Sequence, residues 1–152
     1  MRTIDSVAAL KALEGQELGS SDWIRIDQDR IQAFADATGD HQWIHLDVER
    51  ARRETPWGTT IAHGFLTLSL LPMLSQQIYQ VNGVKSRINY GLDRVRFTNP
   101  VPAGSRVRLH LTLKSVEETA PGRWQVRSEA RIELEGSERP ACVAETIGLM
   151  LT

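Results

Sequence analysis

An aspartate and a histidine five positions apart, in the segment DATGDHQWIHLD (36–47), are the first residues whose types suit chemistry. A helix that ends at Gly39 places Asp40 just beyond its last turn, and a turn between Asp40 and His45 can direct both side chains at one water molecule. A carboxylate and an imidazole form a competent acid/base couple. The structural alternative is that Asp40 makes an Asx turn and His45 is only hydrogen-bonded in a loop. Spacing alone leaves both interpretations open.

The second candidate is Gly64, in the segment IAHGF (61–65) at the start of an apolar helix. Amides in a first helical turn have no acceptor within the helix and carry the positive end of its dipole, so the Gly64 N–H can polarise a carbonyl group. Glycine also permits a close approach. The alternative is that Gly64 only lets the helix touch the sheet, and that a backbone carbonyl satisfies a partly buried His63.

Four histidines, at positions 41, 45, 63 and 110, raise the question of a metal site. His41 and His45 have the spacing of a helical zinc pair, but they follow the helix-ending Gly39 and lack the glutamate next to the first histidine. We therefore predict that no metal is bound. The chain also has no G-x-S-x-G elbow, Walker loop or G-x-G-x-x-G, which argues against a serine hydrolase, a nucleotide phosphatase and a dinucleotide enzyme.

Composition limits the binding partners and the cellular compartment that can be expected for the chain. Eighteen basic and nineteen acidic side chains give a net charge of -1, so there is no general field to attract nucleic acid or an anionic membrane. Cys142 is the single cysteine, which indicates a reducing compartment and predicts a cytoplasmic protein. The most apolar run, FLTLSLLPML (65–74), is about half of the roughly 20 residues that cross a bilayer, and the N-terminus does not resemble a secretion signal. We predict no membrane segment.

The elements that position these residues can be predicted from caps and periodicity. The N-terminal stretch indicates a helix capped by Asp5 or Ser6 and ended by Gly15. A second helix runs from an Asp27 cap to Gly39 and delivers Asp40 to its end. A short strand is expected near DWIRI (22–26) and a short exposed helix over DVERARRE (47–54).

A third helix is predicted to start near His63. Its apolar residues lie on nearly every side, so we expect other elements to enclose it. Pro72 should kink it by removing the hydrogen bond to the Leu68 carbonyl.

After residue 84 the spacing of the apolar residues changes from a helical period to every second residue, which predicts strands with one solvent-exposed face. Turns are expected at Pro121–Gly122 and over EGSERP (135–140), and a bulge near Gly91 would explain a change of phase in the first long strand. The expected result is an α+β domain spanning residues 1–152, in which an antiparallel sheet curves around one apolar helix. The positions that alternate on the inward face are Val107, Leu109, Leu111 and Leu113, then Trp124, Val126, Ser128, Ala130, Ile132 and Leu134, and Val143, Ile147, Leu149 and Leu151 complete a final strand.

The segments FADATGDHQWIHLDVERA and TIAHGFLTLSLLP together resemble the MaoC-like hydratase/dehydratase family, whose pattern is roughly F-A-x-x-[ST]-G-D-x-N-P-[IL]-H-x-D, a gap, then I-x-H-G-x-L. The resemblance covers Phe34 to Pro72, and the remaining strands fit the family's hotdog fold, a sheet wrapped around a central helix. The chain departs from the pattern at Gln42 and Trp43, where Asn and Pro are usual, and is similar to the NodN-like branch.

What the resemblance implies is (R)-specific hydration of trans-2-enoyl-CoA, or the reverse dehydration, without a cofactor, since coenzyme A is part of the substrate. Carried onto this sequence, Asp40 is the principal base, and His45 orients the water and shares in returning a proton to C2. The Gly64 N–H stabilises the thioester enolate. Two other functions stay open, a hotdog acyl-CoA thioesterase and a non-catalytic acyl-thioester-binding protein.

The resemblance also implies a homodimer or higher homo-oligomer, with an acyl-CoA thioester, or less readily an acyl carrier protein, as the other partner. Arg87, Arg94, Arg96 and Arg106 are candidates to meet coenzyme A phosphates. Alternating arginines on a solvent face are otherwise explained by solubility alone.

Overall fold

The computed structural model describes residues 1–152, and its main layer is a six-stranded sheet with helices packed on one face. This confirms the expected α+β architecture. In chain order the elements are β1 (Arg2–Ile4), α1 (Val7–Lys11), β2 (Glu17–Ser20), β3 (Ile24–Arg25), α2 (Gln28–Thr38), α3 (Trp43–Leu46), α4 (Val48–Glu54), α5 (Gly64–Ser69), α6 (Leu71–Ile78), β4 (Tyr79–Val81), β5 (Ser86–Arg96), β6 (Arg106–Ala120), β7 (Arg123–Leu134) and β8 (Cys142–Leu151).

The large sheet has the order β2-β6-β7-β8-β5, with β3 also paired to β6, and all of its pairings are antiparallel. The predicted alternation is confirmed on its two central strands, because the apolar positions of β6 and β7 enter the core while their charged neighbours face solvent. One cluster of buried residues extends from Ile4 to Met150 and joins this inner face to the helices.

The outermost strand, β5, differs from the others because almost all of its residues are exposed. Its pairing with β8 shifts register between Asn89 and Gly91, which confirms the predicted bulge, and shifts again between Asp93 and Arg96. At the second shift Arg94 has φ +53°, which is unusual for a residue with a Cβ. The edge of β5 that faces away from β8 is unpaired in the protomer.

The caps of α2 agree with the sequence prediction. Asp27 accepts a hydrogen bond from the Arg30 N–H at 2.9 Å, and Gly39 ends the helix with φ +81°. The predicted exposed helix is α4, which Asp47 caps in the same way through the Arg50 N–H.

The central apolar helix is interrupted, as Pro72 predicted, and forms α5 and α6 with Leu70 between them. The expectation that it is enclosed on every side is wrong for the protomer. Leu66, Leu70 and Leu74 are buried, but Phe65 is 67% exposed and Met73 is also exposed.

The N-terminus also differs from the prediction. Its first element is strand β1, which pairs in parallel with β4. The helix that follows is capped by Ser6, one of the two predicted caps, but it ends at Lys11, before Gly15. None of the six helices combines the length and the apolar character needed to cross a bilayer.

Candidate active site

Asp40 is held in place by the loop that follows α2. The left-handed Gly39 turns the chain away from the helix axis, and His41 donates from Nε2 to the Asp36 carboxylate at 3.0 Å. The Gln42 N–H donates to Oδ1 of Asp40 at 3.2 Å, which is the Asx turn that the structural alternative predicted. That bond occupies one lone pair of the carboxylate, so the turn orients Asp40 without using all of its acceptor capacity.

His45 lies in α3, a single turn that the sequence analysis did not predict, and is only 6% exposed. Its Nδ1 lies 2.7 Å from the Ile61 carbonyl. Because a carbonyl can only accept, Nδ1 carries the proton and Nε2 of the neutral ring has a free lone pair. Burial lowers the pKa of His45, and the nearby His63 acts in the same direction. The neutral, accepting form of the ring is therefore favoured.

Gln28, at the start of α2, fixes the backbone around His45. Its amide donates to the His45 carbonyl at 2.7 Å and accepts from the Thr60 hydroxyl at 2.6 Å. The Ile61 N–H bonds in turn to the Ile44 carbonyl. Sequence reasoning did not identify Gln28, because no local signal links it to residues that lie 17 and 32 positions away.

His63 connects the two halves of the site. Its Nε2 donates to the backbone carbonyl of Asp40 at 3.0 Å, which confirms that a carbonyl satisfies it, but the residue is 2% exposed rather than partly buried. Its ring stacks on that of His45 with a centroid separation of 3.8 Å, and Phe34 packs nearby at 4.9 Å. Nδ1 of His63 is enclosed and has no hydrogen-bond partner.

The side chains of Asp40, His45 and His63 converge, each offering one polar atom within 4.8 Å of the others. Two acceptors at such a separation can both reach one water oxygen at roughly 2.8–3.0 Å. The same three groups are a potential metal donor set. Imidazoles bind metals in the plane of the ring, and two stacked rings inclined by 24° do not converge on one ion, so the arrangement favours water.

Gly64 is the first residue of α5, so its N–H has no acceptor within the helix. A Cβ on residue 64 would lie 2.8 Å from Cγ of Phe97, closer than real Cβ contacts. The glycine therefore lets α5 pack closely against Phe97, which follows β5, in addition to any role in contacting a ligand. Phe97 stands edge-on to Phe65 at 5.7 Å.

His45 and Gly64 share one cavity of about 270 Å³. Most of its other walls are apolar, and Thr67 of α5 contributes a hydroxyl. A volume just below the range of roughly 300–1,000 Å³ usual for small-molecule sites suits the reacting end of a larger ligand. The remaining lining residues are Ile61, Ala62, Phe97, Asn99, Pro100, Val101 and Ala141.

The four arginines considered for phosphate binding lie in different surroundings. Arg106 makes a two-point ion pair with Glu135, and Arg87 lies over the ring of Tyr79 at 4.5 Å. Arg96 donates to the Val95 carbonyl, and Arg94 occupies the second bulge of β5. Because Glu135 neutralises Arg106, that side chain is the least available of the four to an anionic ligand.

Comparison with known proteins agrees with this geometry. The MaoC like domain model matches residues 10–133. The chain is 57% identical over 147 residues to 3-hydroxyacyl-thioester dehydratase Z of Mycobacterium tuberculosis (strain ATCC 25618 / H37Rv), covering 97% of both chains. It is 45% identical over 146 residues to Nodulation protein N of Rhizobium leguminosarum bv. viciae, covering 95% of this chain and 91% of that protein.

Among solved structures, the chain resembles unliganded R-Hydratase PhaJ1 from Pseudomonas aeruginosa. The TM-score is 0.74 at 26% identity, and the match covers 96% of this chain and 84% of that one. This likeness confirms the predicted hotdog fold, in which the sheet curves around the central helix.

Proposed function

This chain belongs to the MaoC-like domain family, and from that membership we propose that it is a hydro-lyase acting on acyl thioesters. In one direction it adds water to trans-2-enoyl-CoA to give (R)-3-hydroxyacyl-CoA, and in the other it dehydrates the 3-hydroxyacyl thioester. The observation that carries the proposal is the convergence of Asp40 with His45, which shares a cavity with the free first amide of α5.

The proposed role of Asp40 and His45 is to bind one water through both of its hydrogens. The Asp40 carboxylate and Nε2 of neutral His45 are both acceptors, so each receives one O–H. The lone pairs of the water then point away from these two groups, toward C3 of a bound enoyl thioester. Holding the reactants in this orientation removes much of the entropic barrier to their encounter.

In the hydration direction, Asp40 takes a proton as the water oxygen bonds to C3, and the C2–C3 π electrons move onto the thioester as an enolate. The Gly64 N–H donates to the enolate oxygen, which carries more charge in this state than in the ground state. The proton taken by Asp40 then returns to C2, a step in which His45 shares through its hydrogen bond, so that one water has been added across the double bond and both groups regain their starting forms. No cofactor takes part in the proposed reaction.

The apolar cavity walls support this chemistry by limiting access of other waters to His45 and Gly64, which strengthens the hydrogen bonds made there, whereas Asp40 is exposed in the protomer. The cavity holds only the reacting end of the substrate, so the carrier must lie outside it. We take coenzyme A as that carrier, in fatty acid metabolism, and the cytoplasm as the compartment. Cys142 is buried and burial raises the pKa of its thiol to about 11, so the thiol stays protonated and does not act as a thiolate nucleophile.

A homodimer joined through β5 is part of the proposal. This long edge strand exposes Ile88, Tyr90 and Leu92, with Tyr90 62% exposed, and an unpaired apolar edge of this kind readily accepts another strand. A cavity of about 520 Å³ between α6 and the inner face of the sheet is bordered by the same strand. A second copy on β5 would close this cavity from the side.

The test is to incubate the purified protein with crotonyl-CoA and follow three quantities. We expect loss of the enoyl thioester absorbance, formation of (R)-3-hydroxybutyryl-CoA by chiral chromatography, and no release of free thiol. Thiol release without hydration would instead identify a thioesterase. Binding of crotonyl-CoA without any product would identify a non-catalytic acyl-thioester-binding protein.

A further inference from the structure

Thr67, in the middle of α5, has a hydroxyl that no group of the protein satisfies. The residue is only 3% exposed, and neither a side chain nor a backbone group bonds to its Oγ1. Hydroxyl residues elsewhere in the helices, or at a helix end, bond to a carbonyl of the preceding turn: Thr38 to Phe34 at 2.7 Å, Thr55 to Ala51 at 2.6 Å, Ser69 to Phe65 at 2.6 Å and Ser75 to Pro72 at 2.9 Å. This back-bonding is the usual way in which a helical threonine satisfies its hydroxyl, and Thr67 departs from it.

The hydroxyl of Thr67 remains in contact with open space. Nδ1 of His63 is the one enclosed side-chain polar atom without a partner, so Oγ1 of Thr67 is not fully enclosed. Thr67 lines the cavity that also contains His45 and Gly64, and this cavity is the space that its hydroxyl can reach. A nearly buried hydroxyl without a partner is unfavourable, and a ligand that supplies the missing hydrogen bond recovers that energy.

The position of Thr67 in the helix brings its side chain close to the first amide. Residues three apart share one helix face, and each Cα–Cβ bond tilts toward the helix N-terminus. The side chain of Thr67 therefore lies over the turn that begins at Gly64. The Thr67 hydroxyl can therefore reach an oxygen atom that is bound at the Gly64 N–H.

We propose that Thr67 is a second hydrogen-bond donor to the thioester oxygen, acting beside the Gly64 N–H. The inference rests on the proposed function, since it assigns this oxygen to the substrate of the same site. Two donors stabilise an enolate oxygen better than one, because the oxygen has more than one lone pair and its charge increases as the water adds.

The experiment compares Thr67→Val, which replaces the hydroxyl by a methyl group of similar size, with Thr67→Ser, which keeps the hydroxyl. Thr55→Val is the matched control, because it removes a hydroxyl at the C-terminal end of α4 that is bonded to the backbone away from the cavity. We expect kcat for crotonyl-CoA to fall on the order of 10²-fold in Thr67→Val with little change in KM, as for loss of one oxyanion donor. Thr67→Ser should keep most of the wild-type kcat, and Thr55→Val should keep all of it.

A spectroscopic measurement separates polarisation from a structural role. Butyryl-CoA labelled with ¹³C at the carbonyl does not react, and its C=O stretch can be read by difference infrared spectroscopy when it is bound. We expect the wild-type protein to shift this stretch to lower frequency, and Thr67→Val to lose part of the shift while unfolding at an unchanged or higher urea concentration. An unchanged stretch in Thr67→Val, or equal losses of kcat in Thr67→Ser and Thr67→Val, would overturn the inference.

The infrared measurement does not depend on turnover. If the wild-type protein binds the thioester but does not hydrate crotonyl-CoA, the proposed function fails while the C=O shift still tests Thr67. A hydroxyl that instead bonds to Nδ1 of His63 would give a Thr67→Val protein of lower stability with an unchanged C=O stretch, which also contradicts the inference.

Discussion

Substitution of Gly64 by alanine adds one methyl group at the tightest contact beside the site. The new Cβ would lie 2.8 Å from Cγ and 2.9 Å from Cδ2 of Phe97, whereas carbon atoms in contact are ordinarily separated by about 3.5–4.0 Å. The ring must therefore move by roughly 0.7 Å or more, and overpacking of this kind costs about 1–3 kcal/mol. Alanine recovers up to about 1 kcal/mol of that cost through its better helix propensity.

A double-mutant cycle with Phe97→Ala separates the strain against Phe97 from the gain in helix propensity. In the wild-type background we expect Gly64→Ala to lower the free energy of unfolding by about 0–3 kcal/mol, because the strain is at least as large as the gain in helix propensity. In the Phe97→Ala background the clash is absent, so the same substitution should be neutral or stabilising by up to about 1 kcal/mol. The coupling between the two positions is then about 1–3 kcal/mol, measured by urea unfolding of the four proteins. Additive effects would refute the explanation by packing.

Turnover of crotonyl-CoA by the same four proteins tests the second reason for the glycine. If the thioester oxygen must approach the residue 64 amide closely, Gly64→Ala in the Phe97→Ala background no longer lowers stability but still lowers kcat relative to Phe97→Ala alone. If neither stability nor kcat falls in that background, packing against Phe97 is the sole requirement for glycine at this position.

Three further predictions concern His45, the helix caps and the sheet edge. Burial depresses the pKa of folded His45, so its contribution to stability is present above the unfolded pKa of about 6.5 and is lost as the pH falls toward the folded value. Urea unfolding at a series of pH values should show a steeper acid-side loss for the wild-type protein than for His45→Gln, and equal slopes would contradict this. Asp27→Ala should lower the free energy of unfolding by about 1 kcal/mol through loss of the 2.9 Å bond to the Arg30 N–H, whereas Asp27→Asn should be nearly neutral in the same assay. Ile88→Lys should shift the dimer–monomer equilibrium toward monomer, as measured by sedimentation equilibrium, and an unchanged dimer would place the interface away from β5.

The parts of the fold that could be predicted from the sequence are those fixed by local chemistry. Asp27 and Gly39 are a side-chain cap and a left-handed residue, and both act within a few positions of their own place in the chain. The alternation in β6 and β7 is equally local, because one face of each strand is buried along most of its length. The segment that contains Asp40 and His45 begins directly after the predicted end of α2, so the position of these two residues beside one another could be inferred from the sequence.

The parts that were missed depend on long-range contacts or on very short elements. Strand β1 pairs with β4, some 77 positions away in the chain, and no pattern within three residues predicts such a pairing. The four-residue helix α3 is too short to show a helical period. Phe65 was expected to be enclosed because its neighbours are apolar, but it lies on the face of α5 that the sheet of the protomer does not cover.

The role of His63 illustrates how far a single sequence can specify a site. Its type and spacing indicated only a histidine bonded to a carbonyl, and only the tertiary structure identifies that carbonyl as Asp40. Likewise, the unsatisfied hydroxyl of Thr67 becomes visible only when every potential acceptor around it is known. Both features arise from packing between segments that are distant in the sequence.

The rate of crotonyl-CoA hydration by Asp40→Asn tests the central claim most directly. Asparagine has nearly the same shape and retains an oxygen that can accept from the Gln42 N–H, but its amide cannot take a proton from water. If Asp40 is the base, kcat/KM falls by at least about 10²-fold while the urea unfolding midpoint stays near that of the wild-type protein. Hydration by Asp40→Asn at the wild-type rate would contradict the assignment of Asp40 and the mechanism built on it.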